Sequence, residues 1–344
     1  MKGLVLSITA GQGHNQTAMV ISKRFNECGV ECKYLDVYKF INPILSDSVN
    51  KIYLMSTKAI PKIYGGVYRM CEKRGVQSGA GIHGLNRITN SVLSRSLIKL
   101  IQKEKPDFII CTHIFAALLV TYISSIEHLN AKTIGVITDF TIHPYWEDSL
   151  LDYYIIANER LTIQGIKKGF PENKFLPLGI PIGTKFSRKI EKSKAKEILN
   201  LHSKHTILVM SGSMGFGAVY KEIEELDKLD MDFEIVSVSG NNKKLKTKID
   251  SMETRKKIYS YGYINNVDVF MDACDCIITK PGGLTTSEAL AKQIPMLINN
   301  PIPGQEDRNV EFLLNAGAAM RISSTNPIDE AVYHCLLYTS PSPR

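Results

Sequence analysis

The segment from Lys280 to Glu288 has the composition of a phosphate-binding turn. Two glycines, Gly282 and Gly283, follow the apolar run 276–278 and precede an amphipathic run, an order that predicts strand, tight turn and helix N-terminus. Glycine lets the backbone approach a ligand closely, and the amide groups and dipole at a helix N-terminus favour negative charge. Glu288 lies about one turn into the predicted helix, where its carboxylate could accept hydrogen bonds from two ribose hydroxyls. The segment therefore predicts a nucleotide-sugar site.

Three further polar loops are predicted to open helices. Residues 303–309 read Pro-Gly-Gln-Glu-Asp-Arg-Asn, and residues 211–217 form a glycine-rich loop after the apolar run 205–210. The first loop of the chain, residues 9–14, ends in His14 directly after the predicted first strand. Ligands of open α/β sheets bind at this carboxyl edge, so His14 is a candidate functional residue, although a polar loop histidine is the simpler alternative.

The start of the chain also resembles a dinucleotide-binding unit. Residues 30–35 form the predicted second strand, and Asp36 stands where such folds place a ribose-binding acid. That fingerprint needs a third small residue at position 16, which is Gln16 here. We therefore do not expect a dinucleotide cofactor.

A second group of reactive side chains follows the predicted strand 133–137. The loop 138–146 contains Asp139, His143 and Trp146, which is the only tryptophan of the chain. Because this loop also leaves the carboxyl end of a strand, we expect it on the same edge as His14.

The whole chain alternates between short apolar runs and amphipathic runs, which predicts an α/β protein. At 344 residues two domains are expected, because single cores rarely grow past about 250–300 residues. We predict two doubly wound, Rossmann-like domains facing each other across a cleft, at residues 1–183 and 184–332, with the linker near 182–190. Residues 333–344 end in prolines without a cap and are predicted to form an aberrant or disordered tail.

Positive charge is concentrated in one segment. The net charge is +8, and residues 51–105 hold eleven Lys or Arg against two acids, so the rest of the chain sums to about −1. Within the predicted helices of residues 42–74, basic side chains alternate with aromatic and aliphatic ones, among them Tyr64, Tyr68 and Arg69. This pattern is typical of an interfacial helix, so we predict lipid or acceptor binding there and anionic membrane lipids as partners. A core helix with a solvated basic face is the alternative, and nucleic acid is not expected because no stacking array accompanies the charge.

Composition limits the remaining classes. The longest apolar run, 114–120, is far short of the roughly 20 residues of a bilayer span, and residues 1–8 read as a strand rather than a signal peptide. Seven cysteines without a CxxC pair indicate free thiols in a reducing compartment. Since no metal-binding cluster is evident, we expect no cofactor and no metal requirement, with pyrophosphate charge met by backbone N–H groups and a helix dipole.

The order and spacing of these motifs resembles the monogalactosyldiacylglycerol synthase and processive diacylglycerol glucosyltransferase group, inverting enzymes of glycosyltransferase family 28 with the GT-B fold. The resemblance covers roughly residues 3–330, and position 213 departs from it, since Ser213 stands where the family often has glycine. The motifs that carry the resemblance are Gly11-Gln12-Gly13-His14, Thr138-Asp139 with His143-Pro144-x-Trp146, Gly179-Ile180-Pro181, Ser211-Gly212-Ser213-Met214-Gly215, Lys280-Pro281-Gly282-Gly283-Leu284-Thr285 with Glu288, and Pro303-Gly304-Gln305-Glu306 with Asn309.

The resemblance implies a role for each matched position. His14 and Asp139 are expected near the acceptor as catalytic residues, and His143 and Trp146 in acceptor or lipid binding. Glu288 is expected to hold the uridine ribose. The other positions expected to bind the donor are Gly282, Gly283 and Thr285 at the pyrophosphate, Gln305 and Glu306 at the sugar, and Gly13, Ser211, Gly212, Ser213, Met214, Gly215, Lys280 and Asn309.

These expectations combine into one reaction. A UDP-hexose-dependent hexosyltransferase, with His14 as general base, would move a hexose, with glucose favoured, from UDP-glucose or UDP-galactose to the hydroxyl of diacylglycerol. We expect a bacterial enzyme, cytoplasmic and bound peripherally to the inner face of the cell membrane, with no obligate protein partner. The alternatives are another lipid-linked acceptor, such as the peptidoglycan precursor, and a UDP-sugar sensor without turnover. The loop 143–146 favours diacylglycerol, and His14 argues against a sensor.

Overall fold

The computed structural model describes residues 1–9, 12–43, 46, 93–202, 205–210, 212 and 218–337. The chain divides into two compact units. The first comprises Met1–Pro181 with Ile302–Gln305, and the second comprises Ile182–Pro301 with the chain from Glu306 onward. The first division falls between Pro181 and Ile182, at the edge of the predicted linker.

The described part of the first unit contains one six-stranded parallel sheet in the order β2-β1-β3-β4-β5-β6. Its strands are β1 (Lys2–Ser7), β2 (Glu31–Asp36), β3 (Phe108–Cys111), β4 (Lys132–Val136), β5 (Tyr153–Ile155) and β6 (Phe175–Leu176). Its described helices are α1 (Gly13–Glu27), α2 (Val37–Ile41), α3 (93–104), α4 (Ile114–Ile126) and α5 (Arg160–Lys167), with short 3-10 helices at Pro144–Asp148 and Glu172–Lys174.

Both faces of this sheet are buried, which explains why its central strands are apolar without alternation. Leu4 and Leu6 of β1 pack into one hydrophobic cluster, and Val5 between them packs into the cluster on the opposite face. Such double burial is the usual state of parallel sheets covered by helices.

The second unit repeats the arrangement with a six-stranded parallel sheet in the order β12-β11-β10-β7-β8-β9. Its strands are β7 (Thr206–Met210), β8 (Glu234–Val238), β9 (Ile258–Tyr261), β10 (Cys276–Thr279), β11 (Met296–Ile298) and β12 (Ala319–Arg321). Its described helices are α6 (Lys192–Leu199), α7 (Val219–Asp227), α8 (Lys243–Asp250), α9 (Val267–Ala273), α10 (Gly283–Lys292), α11 (Gln305–Asn315) and α12 (Ile328–Leu337), after a 3-10 helix at Thr184–Ser187. Gln305 is the first residue of α11, but it belongs to the first unit, whereas the rest of the helix belongs to the second.

Each sheet has one point at which the strand order reverses. In the first sheet the reversal lies between β1 and β3, and in the second it lies between β7 and β10. Loops that leave the carboxyl ends of two such strands diverge and leave a crevice, which is where open α/β sheets bind ligands. The loops before His14 and before Gly283 lie at these two points.

The end of the chain differs from the prediction. We expected a tail from Tyr333, but α12 continues to Leu337, and Cys335 and Leu336 are buried in the core of the second unit. The apolar spacing from Ile328 is that of an amphipathic helix, which the terminal prolines obscured in the sequence. Residues 338–344 lie outside the described residues. Of the described helices, none has the length and apolar character needed to cross a bilayer.

A buried ion pair anchors helix α10. The Lys292 ammonium donates to Asp272 at 2.5 Å, and both side chains are at most 1% exposed. Lys292 also donates to the Arg188 carbonyl, and the Ile190 amide donates to Asp272 at 3.1 Å. The pair therefore ties the segment at the start of the second unit to α9 and α10.

Replacing Lys292 with methionine should lower the free energy of unfolding by about 3–5 kcal/mol, because it leaves a buried carboxylate without its counter-charge. The double variant Asp272→Asn/Lys292→Met should recover much of this loss. The exposed Lys189 gives the matched control, and Lys189→Met should change stability by less than about 0.5 kcal/mol. Urea unfolding followed by circular dichroism measures all four proteins, and equal stability of the two single variants would contradict the assignment.

Candidate active site

His14 lies at the strand-order reversal of the first sheet and is held by residues from two other strands. Its Nδ1 lies 2.9 Å from the carbonyl oxygen of Thr112, which follows β3, and 2.9 Å from Oγ1 of Thr138, which follows β4. The Thr112 hydroxyl donates in return to the His14 carbonyl at 3.0 Å. These contacts fix the imidazole at the carboxyl edge of the sheet, as the sequence predicted.

The contact with the Thr112 carbonyl also fixes where the proton of the neutral ring resides. A carbonyl oxygen can only accept, so Nδ1 of His14 must carry the hydrogen, and the lone pair is on Nε2. Among the described residues, no hydrogen bond engages Nε2. Burial lowers the pKa of His14, while the Asp139 carboxylate and the bond to Thr112 oppose that shift. The residue is therefore a neutral imidazole with a lone pair available to accept a proton.

Two further histidines lie close to His14. The ring of His113 is centred 4.6 Å from the ring of His14 and perpendicular to it, and its Nδ1 accepts from the Phe115 amide at 3.2 Å. His143 caps the 3-10 helix of its loop by accepting from the Tyr145 amide at 3.2 Å. Burial, with Lys168 and His14 adding to it, lowers the pKa of His143 to about 4. Because Nδ1 is the acceptor in both, the neutral rings of His113 and His143 carry their hydrogen on Nε2.

Asp139 and Trp146 lie in the same loop but differ in environment. Asp139 is half-buried and accepts a hydrogen bond from the side chain of Gln305, which belongs to the same unit. Trp146 is only 5% exposed, and its indole is so close to Gly135 that a β-carbon there would meet it at 2.8 Å. This burial is at odds with direct contact between Trp146 and lipid and assigns the indole to the core of the first unit.

The predicted phosphate turn has the expected form. β10 ends at Thr279, α10 begins at Gly283, and the buried Asn309 side chain holds the turn by donating to the Pro281 carbonyl at 2.9 Å. The first amide groups of a helix lack intrahelical acceptors, so those of α10, including that of Thr285, are directed into the space before the helix. Gly212, with φ of +69°, faces the turn from the end of β7, and a β-carbon there would lie 4.0 Å from Lys280 Cε.

Lys280 and Glu306 form an ion pair at this turn. The ammonium donates to Glu306 at 2.8 Å, and Glu306 is 8% exposed. Glu306 thus pairs with Lys280, whereas the family resemblance implied that the Glu306 side chain faces the sugar. The pair fixes the Lys280 ammonium in the turn before α10, at the end of the helix whose dipole favours negative charge.

Glu288 is half-buried on the second turn of α10. Burial, together with the nearby Asp268, raises the pKa of its carboxyl to about 7, while Lys185 opposes the shift. Among the described residues, no hydrogen bond occupies its oxygens. Its carboxyl is thus partly desolvated, with Lys185 and Asp268 nearby, and its oxygens can accept from donors such as hydroxyl groups.

Of the remaining predicted site residues, one is described by the structure and seven are not. Gly13 is the first residue of α1, directly before His14. The positions outside the described residues are Tyr64, Tyr68 and Arg69 of the basic segment and Ser211, Ser213, Met214 and Gly215 of the glycine loop, and their roles stay predictions.

Glu222, in the first turn of α7, was not predicted from the sequence. Its side chain is 5% exposed, and one oxygen accepts from the Asn299 and Asn300 side chains at 2.8 and 3.1 Å. Asn300 has φ of +48°, and the Asn299 amide donates to Thr279 at 3.0 Å. Glu222 therefore connects the helix after the glycine loop to the loop that leads to Glu306. The adjacent asparagines at a strand end were the available signal, since such residues favour turns and left-handed backbone.

Comparison with known proteins gives consistent results. Residues 14–182 match the family described as Monogalactosyldiacylglycerol (MGDG) synthase, and residues 206–337 match the Glycosyltransferase family 28 C-terminal domain. The chain is 30% identical over 347 residues to a processive diacylglycerol beta-glucosyltransferase of Bacillus pumilus (strain SAFR-032), covering 97% of this chain and 86% of that protein.

Solved structures share the fold. MurG of Acinetobacter baumannii has a TM-score of 0.58 at 15% identity, covering 96% of this chain and 88% of that one. Anabaena Alr3699/HepE in complex with UDP and glucose has a TM-score of 0.56 at 12% identity, covering 100% and 92%. At these identities the likeness shows the fold alone. The predicted α/β fold class with the GT-B architecture is confirmed.

Burial raises the pKa of the Glu222 carboxyl to about 7, against the two asparagine bonds that lower it. A carboxyl whose folded-state pKa is raised stabilises the fold below its unfolded pKa, and that contribution is lost as the pH rises through about 7. Glu222→Gln should therefore match the wild type near pH 4.5 and exceed it by about 1–3 kcal/mol at pH 8. Urea unfolding across this pH range measures the difference. The exposed Glu253→Gln is the control, because Glu225 itself helps to raise the pKa of Glu222. A pH-independent difference for Glu222→Gln would contradict the prediction.

Proposed function

The chain belongs to the family of monogalactosyldiacylglycerol synthases and processive diacylglycerol beta-glucosyltransferases, and from this premise we propose that it is an inverting UDP-hexose-dependent hexosyltransferase. It moves a hexose from a UDP-sugar to the hydroxyl of diacylglycerol and forms a β-glycosyldiacylglycerol. The observation that carries the proposal is the state of His14: a neutral imidazole at the strand-order reversal, with its proton held on Nδ1 and its lone pair on Nε2.

In the proposed reaction His14 acts as general base. A lipid alcohol is a poor nucleophile, so Nε2 takes its proton as the alcohol oxygen bonds to the sugar C1. The bond between C1 and the UDP oxygen breaks, its electron pair leaves with UDP, and this single displacement inverts the anomeric centre. The Thr112 carbonyl holds the ring through Nδ1, and the Asp139 carboxylate stabilises the imidazolium that forms.

The donor is proposed to bind at the turn before α10. The amide groups at the helix N-terminus and the Lys280 ammonium meet the charge of the pyrophosphate, and the Glu288 carboxylate accepts from the ribose hydroxyls. No group of three or more His, Cys, Asp or Glu is placed to hold a metal in the part of the chain that the structure describes. The proposal assigns the positive charge at the pyrophosphate to protein groups.

The sugar and the site of action belong to the proposal as well. The name of the Bacillus pumilus relative supports glucose over galactose. Because diacylglycerol resides in a bilayer, we place the enzyme at the cytoplasmic face of the membrane, bound peripherally to anionic lipids through the basic segment 51–105. A peptidoglycan precursor as acceptor has less support, since the relative at 30% identity is named for diacylglycerol.

A transfer assay tests the proposal directly. The full chain is incubated with vesicles that contain diacylglycerol and an anionic lipid, and with UDP-glucose or UDP-galactose in separate reactions. Lipid extraction and mass spectrometry identify the product. Glycosyldiacylglycerol from UDP-glucose is the expected result. UDP binding without any lipid product would favour the sensor, and transfer only to a peptidoglycan precursor would favour the other acceptor.

His14→Asn should reduce kcat by about 10²–10⁴-fold while leaving the Kd for UDP unchanged, because asparagine keeps a donor for the Thr112 carbonyl and removes the base. Steady-state kinetics and isothermal titration calorimetry measure the two quantities. The exposed His128→Asn is the matched control and should behave as the wild type. Activity of His14→Asn within about threefold of the wild type would remove His14 as the base.

The affinity for UDP should fall as the pH is lowered through about 7, the pKa of the Glu288 carboxyl, because protonation removes an acceptor for the ribose hydroxyls. Glu288→Gln should bind UDP about tenfold more weakly at pH 8 and lose this part of the pH dependence. Calorimetry with wild type, Glu288→Gln and the exposed Glu225→Gln separates the effect from the ionisation of UDP itself. Parallel pH curves for wild type and Glu288→Gln would exclude a ribose contact.

A further inference from the structure

His113 lies beside the proposed base, and neither the family motifs nor the sequence analysis gave it a role. It is the second residue after β3, immediately following Thr112, and it caps α4. Its side chain is 5% exposed, although a histidine commonly keeps its polar edge in water. Consecutive residues of one loop thus make two different contacts with His14: the Thr112 carbonyl binds Nδ1, and the His113 ring packs edge to face against the imidazole at 4.6 Å.

The protonation state of His113 follows from its contacts. Its Nδ1 accepts from the Phe115 amide at 3.2 Å, so the neutral ring carries its hydrogen on Nε2. This is the opposite tautomer to that of His14. Burial, with His14 and His143 nearby, holds the pKa of His113 well below its usual range. His113 therefore stays neutral when His14 takes up a proton.

Three titratable groups act on or contact His14 from the elements around it. Asp139, after β4, favours the protonated imidazole, and His143, in the same loop, is near enough for its charge state and that of His14 to affect each other. His113, after β3, contacts the ring directly. A neutral ring at that place occupies space that water would otherwise fill, and the loss of water disfavours the charged form of His14.

We propose that His113 is a positioning residue for His14: its neutral, buried ring excludes water from one side of the base and keeps that base unprotonated at the pH of the reaction. This inference rests on the proposed role of His14 as general base. In this proposal the Thr112 carbonyl sets the tautomer of His14, and the His113 ring sets its protonation state.

A nuclear magnetic resonance titration of the full chain, labelled on its histidine rings, tests the proposal without any substrate. In the wild type, His113 should remain neutral with hydrogen on Nε2 from pH 5 to 8, and His14 should carry hydrogen on Nδ1. In His113→Asn, which keeps an acceptor for the Phe115 amide, the pKa of His14 should rise toward its ordinary value. In His113→Phe, which keeps a ring, it should remain low. His14→Asn and His128→Asn assign the signals.

Two results of the titration would overturn the proposal. One is a pKa of His14 that is the same in the wild type and in His113→Asn. The other is a wild-type His113 that takes a second proton between pH 5 and 8. The second result is obtained from the wild type alone, so the proposal stays testable even where a variant does not fold.

Kinetics supply the readout that a merely structural role would not move. The acid limb of kcat/KM for His113→Asn should shift to higher pH, with about threefold or greater loss at pH 6 and near wild-type activity at pH 8.5. The KM for the UDP-sugar should not change. Equal losses at both pH values would contradict the proposal. If the His14 pKa shifts but no transfer occurs in any protein, the positioning role stands and the proposed function fails.

Discussion

The hydrogen bond between His14 Nδ1 and the Thr112 carbonyl is the contact on which the arrangement around His14 depends. It joins the loops after β1 and β3, which leave the sheet at the point where the strand order reverses and would otherwise diverge. Because a backbone carbonyl can only accept, this one bond determines both the direction of the imidazole and the nitrogen that stays bare. Thr138 and the Thr112 hydroxyl reinforce it, so three strand ends converge on one ring.

In the second unit, charged side chains rather than a histidine tautomer organise the residues near the strand-order reversal. Its strand-order reversal brings Gly212 and Lys280 together, and three acidic side chains of this unit differ in their contacts. Glu306 pairs with Lys280, Glu222 fixes the asparagines at the end of β11, and Glu288 has no hydrogen bond within the described residues. Residues of one type in one unit thus have three different environments.

The parts of the fold that depend on local pattern could be predicted from the sequence. The predicted strands 30–35 and 133–137 lie within one residue of β2 and β4, whereas β6 is only two residues long and was not predicted. The turn around Gly282 followed from two glycines between a strand and a helix. The rest depends on contacts distant in the chain. Trp146 was predicted to bind lipid or acceptor from its place in a loop, but it packs against Gly135 and Tyr154 in the core. Glu222 was not singled out, because its burial depends on the distant Asn299 and Asn300. The helix through Leu337 was missed because the unusual terminal composition outweighed the apolar spacing before it.

The bond from Asn309 to the Pro281 carbonyl has a consequence for synthesis of the protein on the ribosome. The turn and the side chain that supports it are 28 residues apart, and Asn309 is fully enclosed only when α11 is in place. A nascent chain that has emerged only as far as β11 would leave that carbonyl unpaired and the loop unsupported. The turn before α10 therefore gains this support only after all six strands of the first unit have been synthesised.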